Sequence, residues 1–314
     1  MAVSSASPRL VLVLSENWTM TSPRDLRALV RIAREAEDAG IDGVMLSEHI
    51  VLGPSAGAGG RPRNPRDYAA PGNQDPDTPW PDSIVLMSAI AAATTRLRIG
   101  PLVTPLARRR PWKVARETAT LDRLSDGRLV FGAGTGGPPD ADFQAFGEDP
   151  DARARAAALD HGLEVLTRLW TGEPTQVVDG PDGLTIPGFR PTPVQRPRPP
   201  VWVGASWPNR PPLRRAARWD GVFPQLPDGA TLPPGALAEL VAYVAEQRGS
   251  LDNFDVVISG GTPPDPEAAQ ASLEPHVRAG MTWWLEEASP IVDRSVSDLR
   301  ERIVAGPPRP LTRA

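Results

Sequence analysis

Three histidines, one lysine and no cysteine limit the chemistry open to this 314-residue chain. Without cysteine there are no disulfides, thiolate nucleophiles or thiolate metal sites. Lys113, the only lysine, is a single candidate for Schiff-base chemistry. The histidines fall at positions 49, 161 and 276, too scattered for the clustered His/Asp centre of a metal-dependent barrel hydrolase, so no metal site is expected. His49 stands apart by its context. It lies in "GVMLSEHIVL", where an apolar run gives way to Ser47, Glu48 and His49. Two readings stand side by side: a catalytic histidine at the end of a buried strand, or a simple marker of that end.

Three other stretches carry candidate chemistry. "FGAGTGG", Phe131 to Gly137, fits G-x-G-x-x-G in form, but Pro138 and Pro139 follow and offer no N–H, so the dinucleotide fingerprint is not met. What remains is a flexible turn at a strand end, or a loop whose backbone N–H groups approach one phosphate. "VGASWPNRPPLRRAARW", from Val203, ends a strand at Gly204 and opens a helix near Pro211. With Ser206, Asn209 and Arg210 as added donors, it reads as a phosphate site in preference to an ordinary loop. "PLVTPLARRRPW", from Pro101, sets Arg108, Arg109 and Arg110 just after a strand. As a charge run it reads as a solvated rim more readily than as an anion clamp.

The elements that must position these residues alternate from end to end. Strands are predicted at Leu10–Leu14, Gly43–Ser47, Leu97–Thr104, Leu129–Ala133, Val201–Gly204, Gly221–Phe223, Asp255–Ser259 and Met281–Glu286. Each is followed by a helical stretch; the first has Ser22 as N-cap, Pro23 in its first turn and Gly40 as its stop. Eight β–α repeats without a linker predict one (βα)8 barrel domain spanning residues 1–314, with its site at the C-terminal ends of the strands. His49 falls on that face, whereas His161 and His276 fall within helices. Two excursions interrupt the rhythm. Residues 52–79 form a long Gly/Pro/Arg-rich insertion, read as a lid or a surface loop, and Pro-rich residues 172–200 are read as a hairpin excursion. Trp202, Trp283 and Trp284 lie in strands, and alternation predicts that at least half of them face outward onto helices.

Composition narrows the partners. The net charge of −4 and pI of about 5.5 suggest neither a nucleic-acid nor an anionic-membrane surface. No run approaches the roughly 18 apolar residues of a membrane span, and "MAVSSASPRL" lacks the pattern of a secretory signal. A cytoplasmic protein acting on a small molecule is expected.

Together, "AEDAGIDGVMLSEH", "TTRLRIGPLVTPLARRRPWKVARETATLDRLSDGRLVFGAG", "PVQRPRPPVWVGAS" and "RRAARWDGVFP" resemble the luciferase-like flavin-dependent oxidoreductases, from about Leu10 to Pro224. The resemblance implies a luciferase-like TIM barrel with a flavin across its C-terminal mouth and His49 beside the reactive face. It implies a non-proline cis peptide at Leu102–Val103, behind the ring and next to Thr104. It places the cofactor phosphate near Gly134, Thr135 and Gly136 and near Gly204, Ala205 and Ser206. Gly204-Ala205 stand where some members carry acidic and hydroxyl residues. The implied activity is a monooxygenase using reduced FMN and oxygen on a small organic substrate, as a homodimer and with a flavin reductase as a supplier of cofactor. The alternatives are a deazaflavin (coenzyme F-420)-dependent hydride-transfer enzyme and a non-catalytic flavin-binding protein.

Overall fold

A computed structural model of the chain describes residues 8–14, 26–50, 81–177, 183–227, 229–263, 265–286 and 296–307. Its strands in chain order are β1 (Arg9–Val13), β2 (Gly43–Leu46), β3 (Arg98–Pro101), β4 (Thr104–Pro105), β5 (Phe131–Gly134), β6 (Thr175–Gln176), β7 (Thr185–Ile186), β8 (Val201–Ser206), β9 (Gly221–Gln225), β10 (Asp255–Gly260) and β11 (Trp283–Glu286). The α-helices are α1 (Leu26–Asp38), α2 (Ser83–Ala93), α3 (Pro111–Leu124), α4 (Ala152–Thr171), α5 (Arg210–Ala216), α6 (Pro234–Arg248), α7 (Pro266–Arg278) and α8 (Val296–Ala305).

Nine strands form one parallel sheet in the order β3-β2-β1-β11-β10-β9-β8-β5-β4. β3 and β4 are two halves of one barrel strand, broken at Leu102–Val103, whose peptide bond is cis. The circuit closes across both halves. Ile99 bridges Leu129 in parallel, the Val130 N–H donates to the Ile99 carbonyl at 2.9 Å, and Thr104 and Pro105 of β4 pair with Ala133 and Gly134 of β5. The backbones approach so closely here that a Cβ at Gly100 would lie 1.8 Å from the Val130 carbonyl oxygen. Counting the two halves as one gives the eight-strand barrel that the β–α alternation predicts. β6 and β7 pair antiparallel (Thr175 with Ile186, Gln176 with Thr185), as the hairpin reading expects. The insertion at 52–79, the cap at Ser22 and the turn at 178–182 lie outside the described residues.

Strand alternation divides the core into two layers. Outward positions such as Leu10, Leu12, Val44, Ile99, Phe131, Val203 and Ile258 pack with the helices in a single large cluster. Inward positions Val11, Val13, Met45, Val130, Trp202, Phe223, Val257, Trp283 and Leu285 fill the barrel. The tryptophan expectation is overturned: Trp202 and Trp283 face inward and only Trp284 faces the helices. The reason is register. Trp202 and Trp283 both occupy barrel-facing phases on separate strands, and their rings meet edge to face with centroids 5.2 Å apart. The Trp202 indole N–H donates to Asp255 at 3.1 Å, and the Arg9 guanidinium lies 4.5 Å over the Trp283 ring. These indoles plug the barrel at its N-terminal end.

Helix starts are set by side-chain caps. Asp82, Asp151 and Asp265 accept backbone N–H groups of the first turns of α2, α4 and α7, pairing donors that have no partner within the helix. Glu37, at the end of α1, does a related job on the entry to β3. Its carboxylate accepts the backbone N–H groups of Thr95, Arg96 and Leu97 at 2.5–3.1 Å. Burial pushes its pKa up, but the three amides and the nearby Arg96 charge outweigh burial, and the net shift is downward. A lowered folded-state pKa gives stability that is complete above the ordinary glutamate value of about 4.3 and is lost as pH falls through the lowered value. Urea midpoints measured from neutral to acid pH should show a steeper acid loss in the wild type than in Glu37→Gln. Equal slopes would remove Glu37 from the acid sensitivity.

Candidate functional site

Above the tryptophan plug, the inward positions of β5, β8, β9 and β10 become small or polar. Continuing the alternation from Val130, Trp202, Phe223 and Val257 leads to Gly134, Gly204, Ser206, Gln225 and Ser259 at the C-terminal ends of their strands. Of these, Gly204, Gln225 and Ser259 are half-buried and Ser206 is exposed. Among the described residues, a Cβ at Gly204 would meet nothing closer than 3.5 Å, and one at Gly137 nothing within 4 Å. Among the described residues the barrel is therefore packed below and open above, the geometry of a cofactor or substrate cleft.

His49 lies at this open end, just past β2, with 22% of its side chain exposed. Its Nδ1 is 2.9 Å from Oδ2 of Asp142, whose carboxylate is fully buried. The backbone N–H of Ile50 donates to the other oxygen of Asp142 at 2.8 Å. One carboxylate from the loop after β5 thus grips both the ring and the backbone of the segment after β2.

Beneath this pair runs a buried chain of charges. The Arg108 guanidinium, 5% exposed, lies 3.6 Å from the Glu48 carboxylate and 3.8 Å from Asp142, and donates to the Glu48 carbonyl oxygen at 3.0 Å. Arg109 bridges Glu48 at 3.1 Å and Glu117 at 2.6 Å. Thr104 and Ser83 add their hydroxyls to Glu48. Burial holds the Arg108 pKa below its ordinary value despite Asp142 and Glu48. For Arg109 burial also acts downward, but Glu48 and Glu117 together outweigh it, and the shift is upward. The arginine run is thus neither a solvated rim nor an open clamp. Arg108 and Arg109 turn inward onto carboxylates, and the exposed Arg110 lies 5.9 Å from the Trp112 ring.

The glycine turn after β5 is tied down from α4. Arg155 donates to the carbonyl oxygens of Thr135 at 3.1 Å and Gly136 at 2.6 Å, and its guanidinium lies 4.9 Å over Phe143. In a trans peptide the N–H points opposite to the C=O, so the amides of Gly136 and Gly137 are directed away from Arg155. Gly136 sits at φ +72°, and a Cβ there would lie 2.4 Å from Pro105 and 3.0 Å from the Phe143 ring. Gly136→Ala is expected to cost roughly 1–3 kcal/mol from the left-handed backbone and the crowding. Thermal unfolding checks this; an unchanged melting temperature would show that the turn can move aside.

The β8 segment ends in Gly204, Ala205 and the exposed Ser206. α5 opens at Arg210, next to Pro211 as expected, with Asn209 as its N-cap. The Arg210 guanidinium stacks 4.4 Å from the Tyr243 ring and 5.2 Å from Trp207. His161 is exposed on α4, and His276 is buried on α7, bonded through Nε2 to the Leu232 carbonyl at 3.0 Å. The structure therefore brings His49, the Leu102–Val103 bond, the β5 turn and the β8 end to one mouth and leaves the other histidines out. Sequence reasoning missed Asp142 and Arg155. Neither has a local signal: Asp142 is one of two aspartates in "PPDADF", and Arg155 reads as an ordinary helix residue after the Asp151 cap.

Among the described residues, no helix is long and apolar enough to cross a membrane, and no group of three or more His, Asp or Glu side chains is arranged to hold a metal ion. In sequence, the chain is 31% identical over 261 residues to the F420-dependent glucose-6-phosphate dehydrogenase of Beutenbergia cavernae, covering 80% of this chain and 67% of that protein. It is 32% identical over 152 residues to the enzyme of the same description from Amycolatopsis mediterranei, covering 48% of this chain and 39% of that protein. The chain thus spans from about two fifths to two thirds of the length of these relatives. In structure, it is similar to the FMN complex of the oxygenating constituent of 3,6-diketocamphane monooxygenase from Pseudomonas putida, with TM-score 0.72, 14% identity and coverage of 98% and 99% of the two chains. It is also similar to the coenzyme F420-dependent tetrahydromethanopterin reductase of Methanopyrus kandleri, with TM-score 0.69, 17% identity and coverage of 96% and 98%. Residues 8–306 match the luciferase-like monooxygenase family, and the chain belongs to it.

Proposed function

We propose that this protein is an oxidoreductase that seats a flavin-type cofactor across the barrel mouth and moves a hydride between it and a small organic substrate. The observation that carries this reading is His49, anchored on buried Asp142 at the open end of the barrel. The residues present suit such a cofactor. Among the described residues, Gly204 and Gly137 have space where a side chain would otherwise project, room that a planar ring and its ribityl chain require. Leu102, Val103 and Thr104 would back the ring. The backbone amides around Gly134, Thr135 and Gly136 and the Gly204–Ala205–Ser206 end of β8 would take the phosphate, with Arg210 adding charge nearby.

Between the two cofactors, the sequence relatives support the deazaflavin coenzyme F-420 ahead of the FMN preferred from the sequence alone, because the relative aligned over 80% of this chain is described as F420-dependent. When bound, the deazaflavin supplies a hydride acceptor or donor. Oxidation of a substrate H–C–O–H unit sends the hydride away from carbon and leaves the hydroxyl proton, which His49 takes at Nε2. In the reverse direction the same atom returns it. The Glu48–Arg108–Arg109 cluster holds the end of β2 in place during both.

Titration of the apo-protein with F-420 and with FMN, each oxidised and reduced and followed by fluorescence, tests the cofactor. Micromolar binding of the deazaflavin with much weaker FMN binding is expected. The reverse would overturn the choice and favour an oxygen-using monooxygenase supplied by a separate flavin reductase. Binding of neither would remove the reading itself.

A further inference from the structure

We infer that Asp142 is a positioning residue that holds His49 in the Nδ1–H tautomer. The inference deepens the proposed role of His49 and rests on it only for its catalytic consequence. Oδ1 of Asp142 accepts the Ile50 N–H at 2.8 Å, and Oδ2 faces His49 Nδ1 at 2.9 Å. An ionised carboxylate accepts hydrogen bonds and donates none. The positive guanidinium of Arg108, 3.8 Å from Oδ2, suits that acceptor form. The contact therefore requires a proton on Nδ1, and the lone pair of the neutral ring falls on Nε2. Because the carboxylate is fully buried and also grips the Ile50 backbone, ring and main chain are locked by the same group. Asp142 does this across 93 residues of sequence, joining the end of β2 to the loop after β5.

The isosteric variant Asp142→Asn turns this into a directional test. Ile50 N–H still needs an acceptor, which fixes the amide oxygen on its side and turns the NH2 toward His49. A donor facing Nδ1 forces that nitrogen to accept, and the proton moves to Nε2, the wrong tautomer for a base acting through Nε2. With three histidines in the chain, long-range 1H–15N correlation of ring nitrogens resolves each one, and loss of a signal set in His49→Gln assigns His49. In the apo wild type at alkaline pH, His49 is expected to carry its proton on Nδ1. In Asp142→Asn it is expected on Nε2, with kcat falling roughly 10²-fold and KM changing little. A wild-type His49 protonated on Nε2, or an unchanged tautomer in folded Asp142→Asn, would overturn the inference. The wild-type spectrum decides alone if the variant does not fold. A tautomer switch without loss of activity would leave the inference standing and remove His49 from the chemistry, so the two failures are distinct.

Discussion

Replacing His49 with alanine is expected to lower kcat by about 10²–10⁴-fold while cofactor affinity stays within a few-fold of the wild type. The magnitude is that of removing a positioned general acid or base. Affinity is spared because the surfaces proposed to hold the cofactor come from β4, the β5 turn and the end of β8, none of which depends on the imidazole. Asp142 would lose one partner but keep the Ile50 N–H and the Arg108 charge, so the fold should survive. Steady-state kinetics with the preferred cofactor, beside a binding titration, checks both halves. Turnover unchanged at full cofactor occupancy would show that protons move without His49.

Arg108→Ala is expected to be the most damaging single change to stability near the site, by about 3 kcal/mol. Truncating one partner of a buried ion pair leaves the other uncompensated, and here two buried carboxylates, Glu48 and Asp142, lose the same guanidinium. Arg109 still reaches Glu48, and His49 with the Ile50 N–H still meets Asp142, which keeps the cost at the low end of the usual range. A fall in melting temperature of roughly 4–5 °C follows for a chain of this size. Arg110→Ala, two positions along, removes an exposed side chain 5.9 Å from Trp112 and should stay within about 0.5 kcal/mol. Similar losses for Arg108 and Arg110 would mean that the buried cluster contributes no more than the surface.

The contrast between these arginines shows where sequence reading stops. The barrel was legible because its signals are local: apolar strand runs, helical stretches between them and Gly40 as a helix stop, each specifying structure within a few residues. His49 was legible as a strand-end residue for the same reason, and the Leu102–Val103 cis peptide was expected through family resemblance and is present. Nothing local distinguishes Arg108 from Arg110. Their different fates depend on where Glu48, 60 residues away, and Asp142 arrive once the barrel closes. The Trp202–Trp283 plug was missed on the same ground, since the inward phase of each strand is set by register with its neighbours. Asp142 is the extreme case, a partner 93 residues from His49, brought there by a loop.

In the proposed complex the cofactor sits at the barrel mouth with His49 at its reacting edge. A crystal structure of the protein with oxidised coenzyme F-420 and a substrate analogue tests it most directly. His49 Nε2 is expected within hydrogen-bonding reach of the reacting oxygen, about 2.6–3.2 Å or through one water, with Nδ1 still on Asp142. A bound cofactor whose reacting edge faces away from His49, or one lodged outside the barrel mouth, would contradict it.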